Sequence, residues 1–514
     1  MLDKITAFFK KYFFVISILF FSSILRWVLI LKGGQFYFPD ENRYGIAQDT
    51  IALLLAEKIK TALLTLLGEL AHVGFKITAL FPAFLENKFG TTLALPAIFF
   101  SFFSILSLLL IWKIALRASG QIRVANYALF IAACSQVLLY YSRHLFPYDE
   151  AMFFGLFALY VALKNNVSPS TFYWCGVISF LCLVSYNGYW PIAGFAMIVN
   201  LFYGKREEYW LLKRPAILGL GFFTPLVILL GVCFMVGKDF FSDYQVYLQK
   251  IVQGSFNEGW SLPFEYFWHA EHLFIVIVGL LAFTALFLFL KQRNKFPFKK
   301  NALDIGENDF RINSKYLSVA LGGTLFIYLC LIIPSNLTHT FVVYARTARQ
   351  LMPFLALSAA YGLYYLRSWK FGGRWLANTV IVVLFVQAAW NYRLEYNIVY
   401  PRQFLQEIQE RYPDFKVSSK MMRFYAPLVC QNSGLLVVNF HYIYDWSQPL
   451  PSVRGDVLGR TPHPINFLPY QYDGYTPEQR QAILKENFEM IAYKPEISYL
   501  TSINNEIENC SQDK

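Results

Sequence analysis

The chain has 514 residues, of which 56% are hydrophobic and only 15% are charged, and its mean hydropathy is +0.40. Soluble domains carry about 25% charged residues, so this composition excludes an ordinary soluble protein. The net charge of +12 does not indicate nucleic-acid binding, because most lysines and arginines fall in short loops between apolar runs. Such runs often reach the ~18 residues that span a bilayer, which predicts a polytopic, all-α membrane protein.

The first predicted span covers 12–31 and follows Lys4, Lys10 and Lys11, so we expect a cytoplasmic N-terminus. It has no small-residue cleavage site and is interpreted as a signal anchor. The segment from 32 to 95 is then predicted to lie outside. Within it, 45–70 has a broadly helical apolar period and 73–89 carries charges, so both are predicted as juxtamembrane helices.

Ten further spans are predicted in the rest of the membrane domain, which covers residues 1–399. They lie at about 95–116, 124–141, 170–187, 189–203, 215–236, 316–334 and 375–396, with three more that end at Lys164, Lys291 and Arg367. The densest basic cluster lies between 291 and 315, which places that loop in the cytoplasm. Eleven spans put nearly every short basic loop on one side and the C-terminus on the other.

From about residue 400 the composition changes, and prolines, tyrosines and charged residues become frequent. An amphipathic helix is predicted over 402–411, a buried strand over 434–440 and a helix over 476–487. Residues 400–514 are therefore predicted to form a small extracytoplasmic α/β domain. Cys430 and Cys510 fall in it, and whether they form a disulfide is left open by the sequence.

Charged side chains recur on the predicted outer face. They are Asp40, Glu41, Arg43, Lys76, Arg143, Asp149, Glu150, Arg346 and Arg349. Carboxylates can deprotonate a hydroxyl or amine nucleophile, and arginines bind phosphate through two parallel hydrogen bonds. Together these groups suit transfer from a donor whose leaving group is a lipid phosphate.

Each of these residues also has a plain structural interpretation. A helix N-cap with a solvated Glu–Arg pair accounts for 40–43, and Arg346 and Arg349 can be snorkelling anchors. For Glu150 and Lys76 the structural interpretation is the favoured one, with Glu150 solvated in a loop. For Asp40, Glu41 and Asp149 a functional role is favoured, because three acids recur at the same membrane depth.

At this point the sequence resembles a known group. Pro39-Asp40-Glu41-x-Arg43-Tyr44 after the first span is similar to the first-loop acidic motif of the GT-C glycosyltransferases. The likeness is to the branch of protein O-mannosyltransferases and lipid A aminoarabinose transferases (glycosyltransferase family 39 and relatives). Ser142-Arg143…Pro147-Tyr148-Asp149 resembles the second acidic loop of that branch, and Tyr344-Ala345-Arg346…Arg349-Gln350-Leu351-Met352-Pro353 resembles its loop entering a late span.

The resemblance covers most of residues 10–370 and implies roles for individual residues. Asp40 would activate the acceptor with support from Glu41, and Asp149 would shape the site or hold a divalent metal, the one cofactor suggested. Arg346 and Arg349 would neutralise the polyprenyl phosphate. The other substrate-binding candidates are Arg43, Tyr44, Lys76 and Arg143.

Two family segments differ here. The first loop reads His72-Val73-Gly74-Phe75-Lys76 where relatives have a Lys-Pro-Pro-like stretch, and Asn187-Gly188-Tyr189 stands where Lys-Gly-Pro is frequent. The sugar is therefore left open.

The function predicted from the sequence is transfer of a sugar from a polyprenyl-phosphate donor to a glycan, lipid or protein acceptor outside a bacterial inner membrane. A transporter or flippase is the first alternative, and a non-catalytic glycan-binding homologue is the second.

Overall fold

The computed structural model describes residues 2–33, 35, 41–68, 70, 72–90, 94–164, 168–202, 210–242, 244–245, 260–293, 314–338, 345–370, 372–396, 416–417, 429–431 and 434–436. Its α-helices are α1 (Leu2–Lys32), α2 (Asn42–Leu55), α3 (Ile59–Leu66), α4 (Val73–Phe89), α5 (Ala94–Ser119), α6 (Ile122–Cys134), α7 (Gln136–Tyr140), α8 (Tyr148–Ala162), α9 (Pro169–Ser185), α10 (Trp190–Phe202), α11 (Trp210–Val236), α12 (Leu262–Glu271), α13 (Leu273–Arg293), α14 (Ser314–Ile333), α15 (Ala345–Ala348), α16 (Leu351–Arg367) and α17 (Gly373–Tyr396). Short 3₁₀ turns cover Tyr141–Arg143 and Asn187–Tyr189, and a π-helical turn covers Pro334–Thr338.

Long apolar helices confirm the prediction of a helical membrane protein. In the described part of the chain, six helices are long and apolar enough to cross a bilayer. They are Tyr12–Lys32, Ala94–Ser119, Lys213–Val236, Leu273–Lys291, Ser314–Leu337 and Gly373–Arg393. The pair α6 and α7, bent by 65°, makes a seventh if it is one span.

Four other apolar helices lie where spans are predicted, namely α8, α9, α10 and α16. They have 15, 17, 13 and 17 residues. At 1.5 Å per residue these helices are about 20–26 Å long, shorter than the ~30 Å hydrocarbon core. Eleven spans therefore stay a prediction.

The helix axis bends between α6 and α7 at Ser135, where a buried acid from α12 caps the new helix. The Glu271 carboxylate accepts hydrogen bonds from the Ser135 hydroxyl at 2.5 Å and from the backbone N–H groups of Gln136 at 3.0 Å and Val137 at 2.7 Å. A carboxylate at a helix start satisfies N–H groups that have no partner inside the helix. The break is thus held by a residue 135 positions away in the chain.

The helical period predicted over 45–70 is divided between α2 and α3. The chain turns at Glu57, whose φ is 59°. This left-handed backbone is costly for a residue with a side chain and ends the helix there. Ile51 is buried, whereas Leu55 and Ile59 are exposed, so the predicted apolar positions do not share one buried face. The second helix predicted in this segment coincides with α4.

Glycines allow close packing between α9 and α11. A methyl group at Gly176 would overlap the Leu218 carbonyl oxygen, and one at Gly221 would overlap the Tyr173 carbonyl oxygen. Small residues at helix contacts are typical of membrane bundles, because the gain there comes from close van der Waals packing.

Two ends of the bundle can be defined from the direction of the helices. The Asp149 end is where α1 finishes and α5, α8 and α16 begin. The Lys164 end is where those three helices finish and α9 begins. In the C-terminal region the described residues form an antiparallel sheet in the order β1 (Lys416–Val417), β2 (Val429–Gln431), β3 (Gly434–Leu436). β3 overlaps the predicted strand at 434–440. The predicted helices at 402–411 and 476–487 and Cys510 lie outside the described residues.

Candidate functional site

The centre of the candidate site is the segment 141–150, which connects the bent pair α6–α7 to α8. Every residue in it is buried. Pro147 directly precedes α8, and Asp149 and Glu150 lie in its first turn, where the helix dipole favours negative charge. The local sequence therefore explains why two acids are held at the start of this helix, and the burial removes them from water.

Asp149 is paired with an arginine that the sequence places 200 positions away. Nη2 of Arg349 donates to Oδ1 of Asp149 at 2.5 Å, and the two side chains are 1% and 6% exposed. The Arg349 guanidinium also lies 5.0 Å from the centre of the Tyr141 ring, a cation–π distance. Burial is the largest single influence and lowers the pKa of Arg349. The charge and hydrogen bond of Asp149, together with Tyr189 and Tyr266, raise it, so the pKa lies above its ordinary value.

Arg346 lies on the same side of the site and contacts aromatic residues. Its Nη1 donates to the Tyr148 hydroxyl at 2.8 Å, and its backbone carbonyl accepts a hydrogen bond from the Tyr189 hydroxyl at 3.0 Å. Nε2 of Gln350 donates to the Gly188 carbonyl at 2.8 Å. The structure therefore brings Arg349 to Asp149 and Arg346 to the neighbouring Tyr148, and it connects the segment that carries both arginines to the turn at 187–189.

Glu41 reaches the same segment from the first loop. Its Oε1 accepts a hydrogen bond from the Leu145 backbone N–H at 2.7 Å and lies 3.7 Å from Nδ1 of His144. Glu41 is fully buried, so the solvated Glu–Arg pair considered from the sequence is wrong for this carboxylate. Asp40, the predicted acceptor-activating residue, lies outside the described residues.

Tyr44 and Arg43 follow at the start of α2. The Tyr44 hydroxyl donates to Oε2 of Glu86 at 2.5 Å, and Nε2 of Gln48 donates to the same oxygen at 2.8 Å. Burial and the Glu86 carboxylate raise the pKa of the Tyr44 phenol. Arg43 is half-buried. These bonds fasten α2 to α4, and a substrate role for Tyr44 stays a prediction.

Arg143 has its hydrogen bonds within the protein. Nε and Nη2 donate to the Gly33 carbonyl at 3.1 and 2.9 Å, Nη2 also donates to the Leu29 carbonyl at 3.3 Å, and Nη1 lies 3.5 Å from Oε1 of Glu395. Arg143 thus satisfies carbonyls that the end of α1 leaves without partners. Lys76, on α4, is fully buried. Substrate roles for Arg143 and Lys76 stay predictions.

The environment of Glu150 differs from the one that the sequence predicts. The sequence favours a solvated loop carboxylate, but Glu150 is fully buried, and its Oε1 accepts hydrogen bonds from the Thr78 and Ser185 hydroxyls, each at 2.9 Å. Burial raises the pKa of this carboxyl to about 7, although both hydrogen bonds lower it. Periodicity could not predict this burial, because it arises where α4 and α9 meet the start of α8.

Aromatic and polar residues that sequence reasoning missed complete the site. The Tyr148 ring stacks on Phe146 at 4.8 Å, and Tyr186 stacks on His72 at 4.9 Å. His144, beside Glu41, was likewise not proposed. The high share of aromatic residues, 19%, is too general a signal to single these rings out.

A small cavity lies beside the Asp149–Arg349 pair. Its volume is about 10 Å³, and its lining includes Ser104 and Leu138, so it has room for about one water molecule. Behind it, Arg26 donates to the Ser104 hydroxyl at 3.0 Å and to the Leu138 carbonyl at 3.3 Å.

A metal ion at Asp149 does not fit the residues that the structure describes. Its Oδ1 is bonded to Arg349, and in the described ranges no group of three or more His, Cys, Asp or Glu side chains could hold a metal. No protein-family model matches the chain, and no curated protein matches it in sequence.

Proposed function

We propose that the protein is an integral-membrane glycosyltransferase of the GT-C type, which moves a sugar from a polyprenyl-phosphate donor to an acceptor on the extracytoplasmic face. The observation that carries the proposal is the buried Asp149–Arg349 pair, next to Arg346, at the end of the bundle that the acidic first loop enters. Two donor nitrogens of Arg349, Nε and Nη1, are buried without a hydrogen-bond partner among the described residues. They are available to phosphate oxygens.

In the proposed reaction the acceptor oxygen or nitrogen attacks the anomeric carbon of the sugar. The bond from that carbon to the phosphate oxygen breaks, and its electron pair leaves with the polyprenyl phosphate. The acceptor proton passes to the Asp40 carboxylate, and the arginines stabilise the departing phosphate. Inversion at the anomeric carbon is expected from the family resemblance. The 10 Å³ cavity is too small for a phosphate, so binding requires the surrounding residues to move apart.

The proposal includes eleven spans, a cytoplasmic N-terminus, an extracytoplasmic domain at 400–514 and a bacterial inner membrane. It is supported by the short apolar helices α8, α9, α10 and α16 and by the distribution of basic residues. Lys113, Arg117, Lys164 and Arg367 all lie towards the Lys164 end of the bundle, which is the cytoplasmic end in this topology.

A flippase or transporter is the second candidate, and the broken pair α6–α7 favours it. Discontinuous helices line the substrate sites of many transporters. The Glu271 carboxylate would suit such a break, because it satisfies the N–H groups at a helix start that would lie inside the membrane.

Mass spectrometry of polyprenyl lipids from matched bacterial strains separates the two functions. The strains are wild type, a deletion, Asp40→Asn, Arg349→Gln and the exposed control Lys370→Gln, each with its membrane protein level measured. We expect the deletion, Asp40→Asn and Arg349→Gln to accumulate one polyprenyl-phosphate sugar and Lys370→Gln to match wild type.

If the deletion changes the lipids while Asp40→Asn matches wild type, the catalytic assignment fails. If lipids are unchanged in every strain, the transferase proposal fails and the transport function is favoured.

A further inference from the structure

An apolar groove runs along the surface between α8 and α9, away from the candidate site. Its volume is about 400 Å³, and Phe154, Phe157, Trp174 and Val177 line it. Its length can be taken from α9, on which the lining extends from Ser170 to Leu181. Eleven residues of helix are about 16 Å long, about half of the ~30 Å hydrocarbon core. The groove therefore has the length of one leaflet.

The end of the groove is polar and basic. Lys164, which is exposed, and Ser170 line it there, and the N-terminus of the 17-residue helix α9 adds a positive dipole end. Nearby, Arg117 lies 3.6 Å from the centre of the Tyr160 ring. The sequence contains no Asp or Glu between Glu150 and Glu207, so no acid in this stretch neutralises the charge.

These observations identify what the groove can hold. An apolar channel one leaflet long fits a hydrocarbon chain, and a basic, hydroxyl-bearing mouth fits a phosphate. A hydrocarbon chain gains little free energy by moving from the bilayer into an apolar groove, because lipid tails are as apolar as the lining. Selectivity must therefore come from the headgroup.

We propose that the α8–α9 groove binds one acyl chain of an anionic glycerophospholipid, with its phosphate at Lys164 and the start of α9. The site lies at the Lys164 end of the bundle, opposite to Asp149, and does not depend on the proposed transferase activity. Its occupant is a lipid of the surrounding membrane and not the sugar donor.

Native mass spectrometry of the purified full chain tests this site. The protein is titrated with phosphatidylglycerol or with phosphatidylcholine of the same acyl chains. We expect the first phosphatidylglycerol to bind at a lower concentration than the first phosphatidylcholine. Lys164→Gln should reduce this preference roughly fivefold, the effect of about one basic residue at a membrane surface. Lys370→Gln, which removes an exposed lysine outside the groove, should leave it unchanged.

A second pair of variants tests the groove itself. Val177→Trp fills the channel and should abolish the first binding event, whereas Val227→Trp, at a position 63% exposed on α11, should retain it. Equal binding of the two lipids by wild type, or an unchanged preference in Lys164→Gln, overturns the proposal. So does retention of the first phosphatidylglycerol in folded Val177→Trp. If Val177→Trp does not fold, the comparison of Lys164→Gln with Lys370→Gln decides the question.

Discussion

The two ends of the helix bundle differ in how they hold most of their charged side chains. At the Asp149 end, charged side chains are buried and form ion pairs with each other, as in Asp149 with Arg349 and Arg143 with Glu395. At the Lys164 end, Lys164 and Lys370 are exposed, and Arg117 lies on the Tyr160 ring. The first arrangement requires tertiary contacts to satisfy each charge, whereas the exposed lysines of the second need only water and lipid headgroups.

This difference separates residues that hold a site from residues that orient a protein in the membrane. A buried charge costs several kcal/mol unless a partner compensates it, so it is retained where it has a use. Exposed basic residues at helix ends cost little and set the topology. The comparison therefore predicts large effects of substitution at one end and small effects at the other.

The largest effect is expected from Arg349→Met. The substitution leaves the Asp149 carboxylate buried without its cation and should lower the free energy of unfolding by about 3–5 kcal/mol. Chemical unfolding of the purified protein in detergent measures this change. Adding Asp149→Asn should recover part of the loss, since no charge then remains buried. A loss no larger than that of the exposed control Lys370→Met would show that the pair is not important for the fold.

The second effect depends on pH and on Glu150. Its pKa in the folded protein, about 7, lies above the ordinary value of 4.5. Between these two pH values Glu150 is therefore protonated in the folded state and ionised in the unfolded state. The contribution of Glu150 to the free energy of unfolding is therefore fully present below pH 4.5 and is lost as pH rises through about 7. The total change is about 3 kcal/mol from a shift of this size.

Unfolding of wild type and Glu150→Gln at pH 5 and pH 8 measures this contribution. The amide does not titrate, so the difference in unfolding free energy between the two proteins should move in favour of Glu150→Gln by about 2.5 kcal/mol from pH 5 to pH 8. Other titrating groups cancel in the difference. A difference that is the same at both pH values would mean that Glu150 keeps an ordinary pKa in the folded protein.

The third effect comes from the contact between α9 and α11. Gly221→Ala places a methyl group against the Tyr173 backbone, and such overpacking costs about 1–3 kcal/mol. Gly219→Ala on the same helix meets no atom within 4 Å and is the matched control, with no loss expected. Thermal unfolding of both variants in detergent compares them, and equal melting temperatures would contradict the close helix contact.

The smallest effect is expected at the Lys164 end. Lys164→Gln removes one exposed charge and should change the unfolding free energy by less than about 0.5 kcal/mol, even though it weakens the proposed lipid preference. The same unfolding assay in lipid-free detergent checks this expectation. A loss comparable to that of Arg349→Met would remove the contrast between the two ends of the bundle.

The sequence by itself determined the class of the protein and the order of its helices. Apolar runs and the basic residues between them are local signals, because hydropathy depends on neighbours along one segment. The predicted boundaries of α4 at 73–89 were therefore recovered. Asp149 and Arg349, which the sequence predicted to lie on one face, are in contact. That prediction came from counting alternating spans, which would return the chain to the same side.

The tertiary structure alone decided which charges are buried and which partners they have. Arg143 forms an ion pair with Glu395, and Glu271 caps the break at Ser135, across more than a hundred residues in each case. Glu150 was expected in water and is enclosed by Thr78 and Ser185. Periodicity reports only which face of a helix is apolar, whereas these contacts depend on how separate helices meet, and that is set by packing in three dimensions.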